Sequence, residues 1–265
     1  MKYGQLTLLD ALARHARVKL VALSIGGNDM GFQQVILSCV AAFGRPPIIA
    51  STCRKGSATQ RRLSDKALAT VGDKVQAAIE RIDATMRAAG YADGDWQMVV
   101  QGYPMPLRAP LRYPETYKGR FATGGCPFYD SDLEWIGSRI PALNQALRAA
   151  TERAARSTGR PIAFMDLENA FAGRELCSKS ASFVDELPEG PARTVDAERV
   201  AMVRVGKGFA GAESIHPNAL GQLALQACLQ QAWSGGVARS GSCAAPVDWS
   251  QVDAAGRPLM RFTPA

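Results

Sequence analysis

Histidine is scarce in this 265-residue chain: only His15 and His216 are present, and no cysteine falls in a CxxC or CxxH pair. A zinc site therefore lacks plausible ligands. No run of eighteen uncharged apolar residues occurs, which excludes a membrane-spanning helix. The GxGxxG spacing of a dinucleotide loop is missing, so a nucleotide-binding domain has no phosphate cradle. Internal repeats and low-complexity tracts are absent too. The first residues lack the pattern of a signal peptide: Lys2 is followed by Leu6, Leu8, Leu9 and Leu12 with Asp10 and Arg14, which reads as an amphipathic helix.

What is present is an ordinary globular composition, 47% hydrophobic and 21% charged, long enough to bury a core as one large domain or two small ones. The formal net charge is +7. That excess reads as scattered along the chain, with Arg61-Arg62 the nearest thing to a patch. No basic stripe interleaved with aromatics accompanies it, which argues against a nucleic-acid partner. The six cysteines are Cys39, Cys53, Cys126, Cys177, Cys228 and Cys243. An even number in loop-rich contexts points to disulfides and to export into an oxidising compartment. Pairing sequence neighbours gives 39 with 53, 126 with 177 and 228 with 243, one of the fifteen connectivities that six cysteines allow. Six buried free thiols are the alternative, and an exported protein implies a leader that this chain does not show.

Residues 18–25 (VKLVALSI) form an apolar run ending at Gly26-Gly27, as for a central strand buried on both faces of a parallel sheet. Residues 96–102 (WQMVVQG) and 162–167 (IAFMDL) read as two more strands. Between them, residues 63–89 carry Leu68, Val71, Val75, Ile79, Ile82 and Met86 at helical period, with Gly90 as the stop. Residues 130–158 are similar, with Pro141 expected to divide the helix and Gly159 following it. A last helix is expected over 217–233, with Pro217 in its first turn. The alternation of helices and strands is that of an α/β doubly wound domain. Residues 1–234 read as that domain and 235–265 as an irregular tail. The long loops 104–127 and 168–211 are expected to line a site, since ligands of open α/β sheets bind beyond the carboxyl ends of the strands.

Two segments can carry chemistry. Gly26-Gly27-Asn28-Asp29 ends the first strand, where glycines let backbone approach a ligand and the Asn28 amide offers two donors. Taken alone it is equally a plain turn. Glu213-Ser214-Ile215-His216-Pro217-Asn218 precedes the last helix. A carboxylate three residues before a histidine can accept the ring Nδ1–H and leave Nε2 free as a general base, although a lone histidine at a helix start is also a common cap.

Together these segments resemble two blocks of the SGNH hydrolases, the GDSL esterase and lipase superfamily, and the likeness is closest to secreted actinobacterial GDSL esterases. LSIGGNDMGF (23–32), QGYPMP (101–106), GGCPFYDSD (124–132), GRELC (173–177) and ESIHPNALGQLALQACL (213–229) follow the family's order. The resemblance implies a three-layer α/β/α flavodoxin-like sandwich that hydrolyses carboxylic esters through an acyl-enzyme. It implies Asn28 as an oxyanion-hole donor, His216 as base and then acid, and Glu213 as the group that orients the imidazole, a role some relatives give to a backbone carbonyl. It also implies a small-molecule or lipid ester as substrate, a secreted location, and no metal, nucleotide or flavin. A monomer is expected. Met105, Leu107, Tyr113 and Phe128 are candidates for an apolar acyl wall or for core packing.

The chain departs from the pattern at its start. The family's nucleophile is the serine of a Gly-Asp-Ser block upstream of the Asn block, and no Gly-Asp-Ser occurs here. The only Asp-Ser pair is Asp130-Ser131, which opens a helix. The block II glycine has no counterpart either. The family's first two strands are then missing, the third is left with an exposed edge, and the frame upstream of Met1 is expected to encode the absent strand and its serine. A catalytically dead pseudo-hydrolase acting as a binding module is the competing expectation.

Overall fold

The computed structural model describes residues 4–49, 51–116, 119–122, 126–182, 195–201, 203 and 214–265. Its helices are α1 (Gln5–His15), α2 (Phe32–Phe43), α3 (Ser57–Arg62), α4 (Asp65–Ala88), α5 (Gly119–Ala122), α6 (Asp130–Thr158) and α7 (Ala219–Ala232). Its strands are β1 (Leu20–Leu23), β2 (Gln97–Gln101), β3 (Ala163–Asp166), β4 (Trp233–Ser234), β5 (Val237–Ala238), β6 (Gly241–Ala244) and β7 (Arg261–Pro264). The main sheet runs β1-β2-β3-β6-β7. Its first four strands are parallel and β7 closes it antiparallel to β6. A mainly parallel sheet flanked by helices is the α/β architecture that the alternation of elements predicts.

Local chemistry sets the element ends. Ser64 caps α4 by accepting the Ala67 N–H at 3.2 Å, so the helix starts two residues later than the apolar period alone suggests. Helix α6 runs unbroken through Pro141, against the expected division there. Its length lets it bury Leu133, Ile136, Ile140, Leu143, Leu147, Ala150 and Ala154 in one stripe. Gly159 then ends it in the left-handed region at φ 69°. Asn218, not Pro217, defines the start of α7: its side chain accepts the Gly221 N–H at 2.9 Å.

Helix α4 lies along α6, and α1 packs on α4. A buried ion pair ties this layer to the sheet: Arg160, just before β3, donates to Asp83 of α4 at 2.7 Å and stacks over Trp96 at 4.4 Å. Strand β1 is not the doubly covered central strand its apolar run suggests. Among the described residues it pairs only with β2, sits at the sheet edge and leaves Ala22 exposed. The stretch 235–265 is likewise not an irregular tail, because it supplies β6 and β7 to the main sheet. Its pattern is hard to read because β6 is only Gly241-Ser242-Cys243-Ala244, with one strongly apolar side chain facing in.

All six cysteines are paired as sequence neighbours: Cys39–Cys53, Cys126–Cys177 and Cys228–Cys243, with Cα separations of 4.7, 6.4 and 5.8 Å. Among the described residues no helix is long and apolar enough to cross a membrane.

Candidate active site

The turn after β1 places Asn28. Gly26 sits at φ 110°, and a Cβ there would meet Val71 Cγ1 at 3.0 Å, so both the backbone angle and the close approach of α4 call for glycine. The Gly27 N–H donates to the Tyr103 hydroxyl oxygen at 2.9 Å, and the Asn28 carbonyl accepts the Gly31 N–H at 3.0 Å. Asp29 is paired with Lys74 of α4 at 2.8 Å. These bonds fix the backbone around Asn28 while its side chain stays exposed.

The support beneath this turn comes from β2 and α6. Asn144, 3% exposed on α6, accepts the Tyr103 N–H at 2.7 Å and donates to the Tyr103 carbonyl at 2.9 Å. Both backbone groups of Tyr103 are thus held by one buried amide. The phenol ring then reaches across to Gly27. Burial pushes the Tyr103 phenol above its ordinary pKa, against hydrogen bonds with Gly27 and Ser24 that pull it down, so it stays protonated at neutral pH.

His216 sits in a turn zipped to the 199–201 stretch. The Ile215 N–H donates to the Ala201 carbonyl at 2.9 Å, Ala201 N–H to the His216 carbonyl at 2.8 Å, and Asn218 N–H to the Arg199 carbonyl at 3.1 Å. Asn218 Nδ2 adds a bond to the Glu198 carbonyl at 2.8 Å. The fit is close enough that a Cβ on Gly221 would overlap the Arg199 carbonyl. Ile215 pays for this placement with a left-handed φ of 62°, costly for a β-branched side chain. The His216 Nδ1 lies 3.1 Å from the Ser214 carbonyl oxygen. A carbonyl can only accept, so the proton on Nδ1 points to Ser214 and the tautomer this contact selects is the one that leaves Nε2 as the acceptor. The orienting partner seen is therefore a backbone carbonyl. Glu213, expected from sequence to fill that role, lies outside the described residues.

Asn28 and His216 line one cavity of about 920 Å³ beyond the carboxyl ends of β1, β2 and β3. Ser24, Gln101 and Leu167 form its floor, Phe32 and Ile36 of α2 one wall, and Leu225 and Leu229 of α7 another. Pro104 and Pro106 from one long loop, and Phe171, Val200 and Val203 from the other, also contribute. Those loops are stitched together by the Cys126–Cys177 disulfide, by bridges from Leu107 to Leu176 and Leu111 to Ser178, and by an ion pair between Arg112 and Glu198 at 2.9 Å. Ser131 lies in the first turn of α6 and does not line the cavity. Met105, Leu107 and Phe128 are buried core residues, and none of them nor Tyr113 faces the cavity.

The sequence places Tyr103, with residues 104–106, beyond the carboxyl end of a strand, where a ligand is expected, and Tyr103 does line the cavity, but its contacts are not legible there. Ser24 and Asn144 carry no signal, and nothing in the helical pattern around Asn144 distinguishes an anchoring amide from a tolerated polar residue. Asp132 likewise has a structural duty. With Cys39 and Cys53 it makes a metal-like grouping, but the sulfurs are bonded to each other and the carboxylate accepts the Cys53 and Arg54 N–H groups at 2.9 and 3.0 Å.

No family model and no curated protein matches the sequence. Among solved structures the chain is similar to phospholipase A1 from Streptomyces albidoflavus NA297, with 22% identity, a TM-score of 0.40, and coverage of 77% of this chain and 64% of that one. It is also similar to an extracellular lipase from Streptomyces rimosus, with 22% identity, a TM-score of 0.41, and coverage of 79% of this chain and 69% of that one. The chain thus spans just under two thirds of the length of the phospholipase.

Proposed function

We propose that this chain carries the base and oxyanion-hole half of an SGNH-type carboxylic-ester hydrolase site. The observation that supports this most directly is that Asn28 and His216, far apart in sequence, open into one cavity. In this reading His216 Nε2 removes a proton from the attacking hydroxyl and returns it to the leaving alcohol, with the Ser214 carbonyl holding the ring. The Asn28 amide donates to the oxygen that becomes negative in the tetrahedral intermediate. The apolar walls from α2 and α7 suit the acyl part of an ester. Three disulfides fit an oxidising, extracellular setting.

The Gly-Asp-Ser block is not among these residues, so the turnover expected of this chain is the residual catalysis that a base and an oxyanion donor sustain without an acyl-enzyme. The test is hydrolysis of a nitrophenyl ester with fluorophosphonate labelling in parallel. Slow hydrolysis that His216→Ala abolishes and Asn28→Ala reduces by about two to three orders of magnitude is expected, without labelling. Equal hydrolysis by His216→Ala overturns the reading. Saturable ester binding with no turnover, even after a Gly-Asp-Ser segment is supplied upstream, favours the binding-module alternative.

A further inference from the structure

We propose that the described residues 45–49 and 51–62 form a docking surface for an anionic lipid layer beside the cavity, an inference that stands independently of the hydrolase reading. This segment contains Arg45, Arg54, Lys55, Arg61 and Arg62 and no acidic residue, so five of the chain's basic side chains are concentrated in a short stretch. The sequence makes the charge look scattered because the stretch is interrupted by neutral residues. All five side chains are exposed, and among the described residues none is engaged in an ion pair or a side-chain hydrogen bond. Between them stand Ile48 and Ile49, 93% and 59% exposed, the first being the most exposed of the large hydrophobic residues described.

Single exposed apolar residues are ordinary, but two adjacent isoleucines framed by unpaired cations supply the two signals that surface anchoring to lipid requires. The cations meet the negative headgroups, and the isoleucines enter the acyl boundary. An oligonucleotide is the poorer match: no aromatic residue lies between Arg45 and Arg62 to stack on a base.

The surface is held in shape. Cys53 is bonded to Cys39 of α2, and the buried Asp132 carboxylate receives the Cys53 and Arg54 N–H groups. One turn further along α2, Phe43 packs on Tyr129 at 5.1 Å between centroids. The surface also reaches the cavity rim: Arg62 Nη1 lies where a Cβ on Gly31 would be met at 2.6 Å, three residues from Asn28. A lipid layer docked on this surface would therefore lie next to the Asn28 turn.

Co-sedimentation of the full chain with vesicles tests this, using phosphatidylglycerol and phosphatidylcholine mixed one to one against phosphatidylcholine alone. The chain is expected to pellet with the anionic vesicles and to be released by salt. Each Arg or Lys changed to Gln should weaken binding about fivefold. Ile48→Ser combined with Ile49→Ser should weaken it tenfold or more. These side chains are solvent-exposed, so the variants are expected to melt with the wild type, and separate Arg54→Gln/Lys55→Gln and Arg61→Gln/Arg62→Gln pairs guard against a local folding effect. No binding to anionic vesicles, or undiminished binding by the double-serine variant, overturns the proposal. So does binding of a single-stranded oligonucleotide that the arginine variants lose and the isoleucine variant keeps, with vesicles unbound. His216→Ala should bind vesicles as the wild type does, so this proposal and the hydrolase reading fail separately.

Discussion

Along one side of the molecule, α4 buries Leu68, Val71, Val75, Ile79, Ile82 and Met86 and α6 buries Leu133, Ile136, Leu143, Leu147 and Ala154, each at helical period, and the two helices lie side by side. Around the cavity the supports are different in kind. There a disulfide, a carbonyl bond to a histidine, one amide clamping a tyrosine and a capping asparagine hold short turns in place. The helical layer distributes its stability over many interchangeable apolar contacts, each a modest share of the burial free energy. The cavity side concentrates its order in a few directional bonds with no replacements. Single substitutions should therefore be graded on the helical side by volume and burial, and on the cavity side by which bond they remove.

The largest effect should follow loss of the Cys126–Cys177 disulfide, which links the two long cavity loops across 51 residues of sequence. Loop-closure entropy puts its contribution at about 4 kcal/mol, above the roughly 3 kcal/mol expected of a closure near fifteen residues such as Cys228–Cys243. Denaturant unfolding of Cys126→Ser/Cys177→Ser checks this. A loss no greater than that of Cys228→Ser/Cys243→Ser would show that the cavity loops are held by their apolar contacts instead, and the contrast between the two sides would disappear.

The helical side has a buried directional element of its own among several more exposed ones, and it sharpens the comparison. Asp83 and Arg160 are 6% and 3% exposed on their side chains. Burial works to raise the Asp83 pKa, but hydrogen bonds and charge from Arg87 and Arg160 outweigh it, and the carboxyl sits below its ordinary value. A carboxylate with a lowered folded pKa stabilises the protein above the unfolded value and loses that contribution as pH falls through the folded one. Asp83→Ala should cost about 3 kcal/mol near neutral pH, because it leaves the Arg160 charge buried with only the exposed Asp93 beside it. The variant should also lose less stability than the wild type on acidification below the carboxylate range. Parallel melting curves of the two proteins from neutral pH to acid would contradict this account.

The same division decides what could be read from the sequence. The α4 and α6 helices and the cores of β1, β2 and β3 are legible because periodic burial leaves a periodic pattern. Asn28 and His216 are legible because short motifs mark them. The edge position of β1 is not written in its own residues, since an apolar run looks the same whether one neighbouring strand or two will cover it. The β6 and β7 strands are too short and too polar to announce themselves. The clamp of Asn144 on Tyr103 is silent because it is a distance of 2.7 to 2.9 Å between groups 41 residues apart, and no composition encodes a distance.

The smallest effect is expected from Tyr103→Phe, and it isolates one hydroxyl. The ring, its packing against Gly27 and the backbone clamp from Asn144 all remain, and only the oxygen that accepts the Gly27 N–H and bonds to the exposed Ser24 is lost. A half-buried amide deprived of its acceptor costs about 1 kcal/mol, so the melting temperature should fall slightly. Because Gly27 precedes Asn28 in the turn, the freed segment should also aim the Asn28 amide less well. Ester hydrolysis should then slow by less than Asn28→Ala causes, with the turnover rate affected more than the apparent substrate affinity, since the lost aim matters only once the oxyanion develops. Hydrolysis unchanged despite the lower melting temperature would assign Tyr103 to stability alone and leave the Asn28 turn rigid by its own internal bonds.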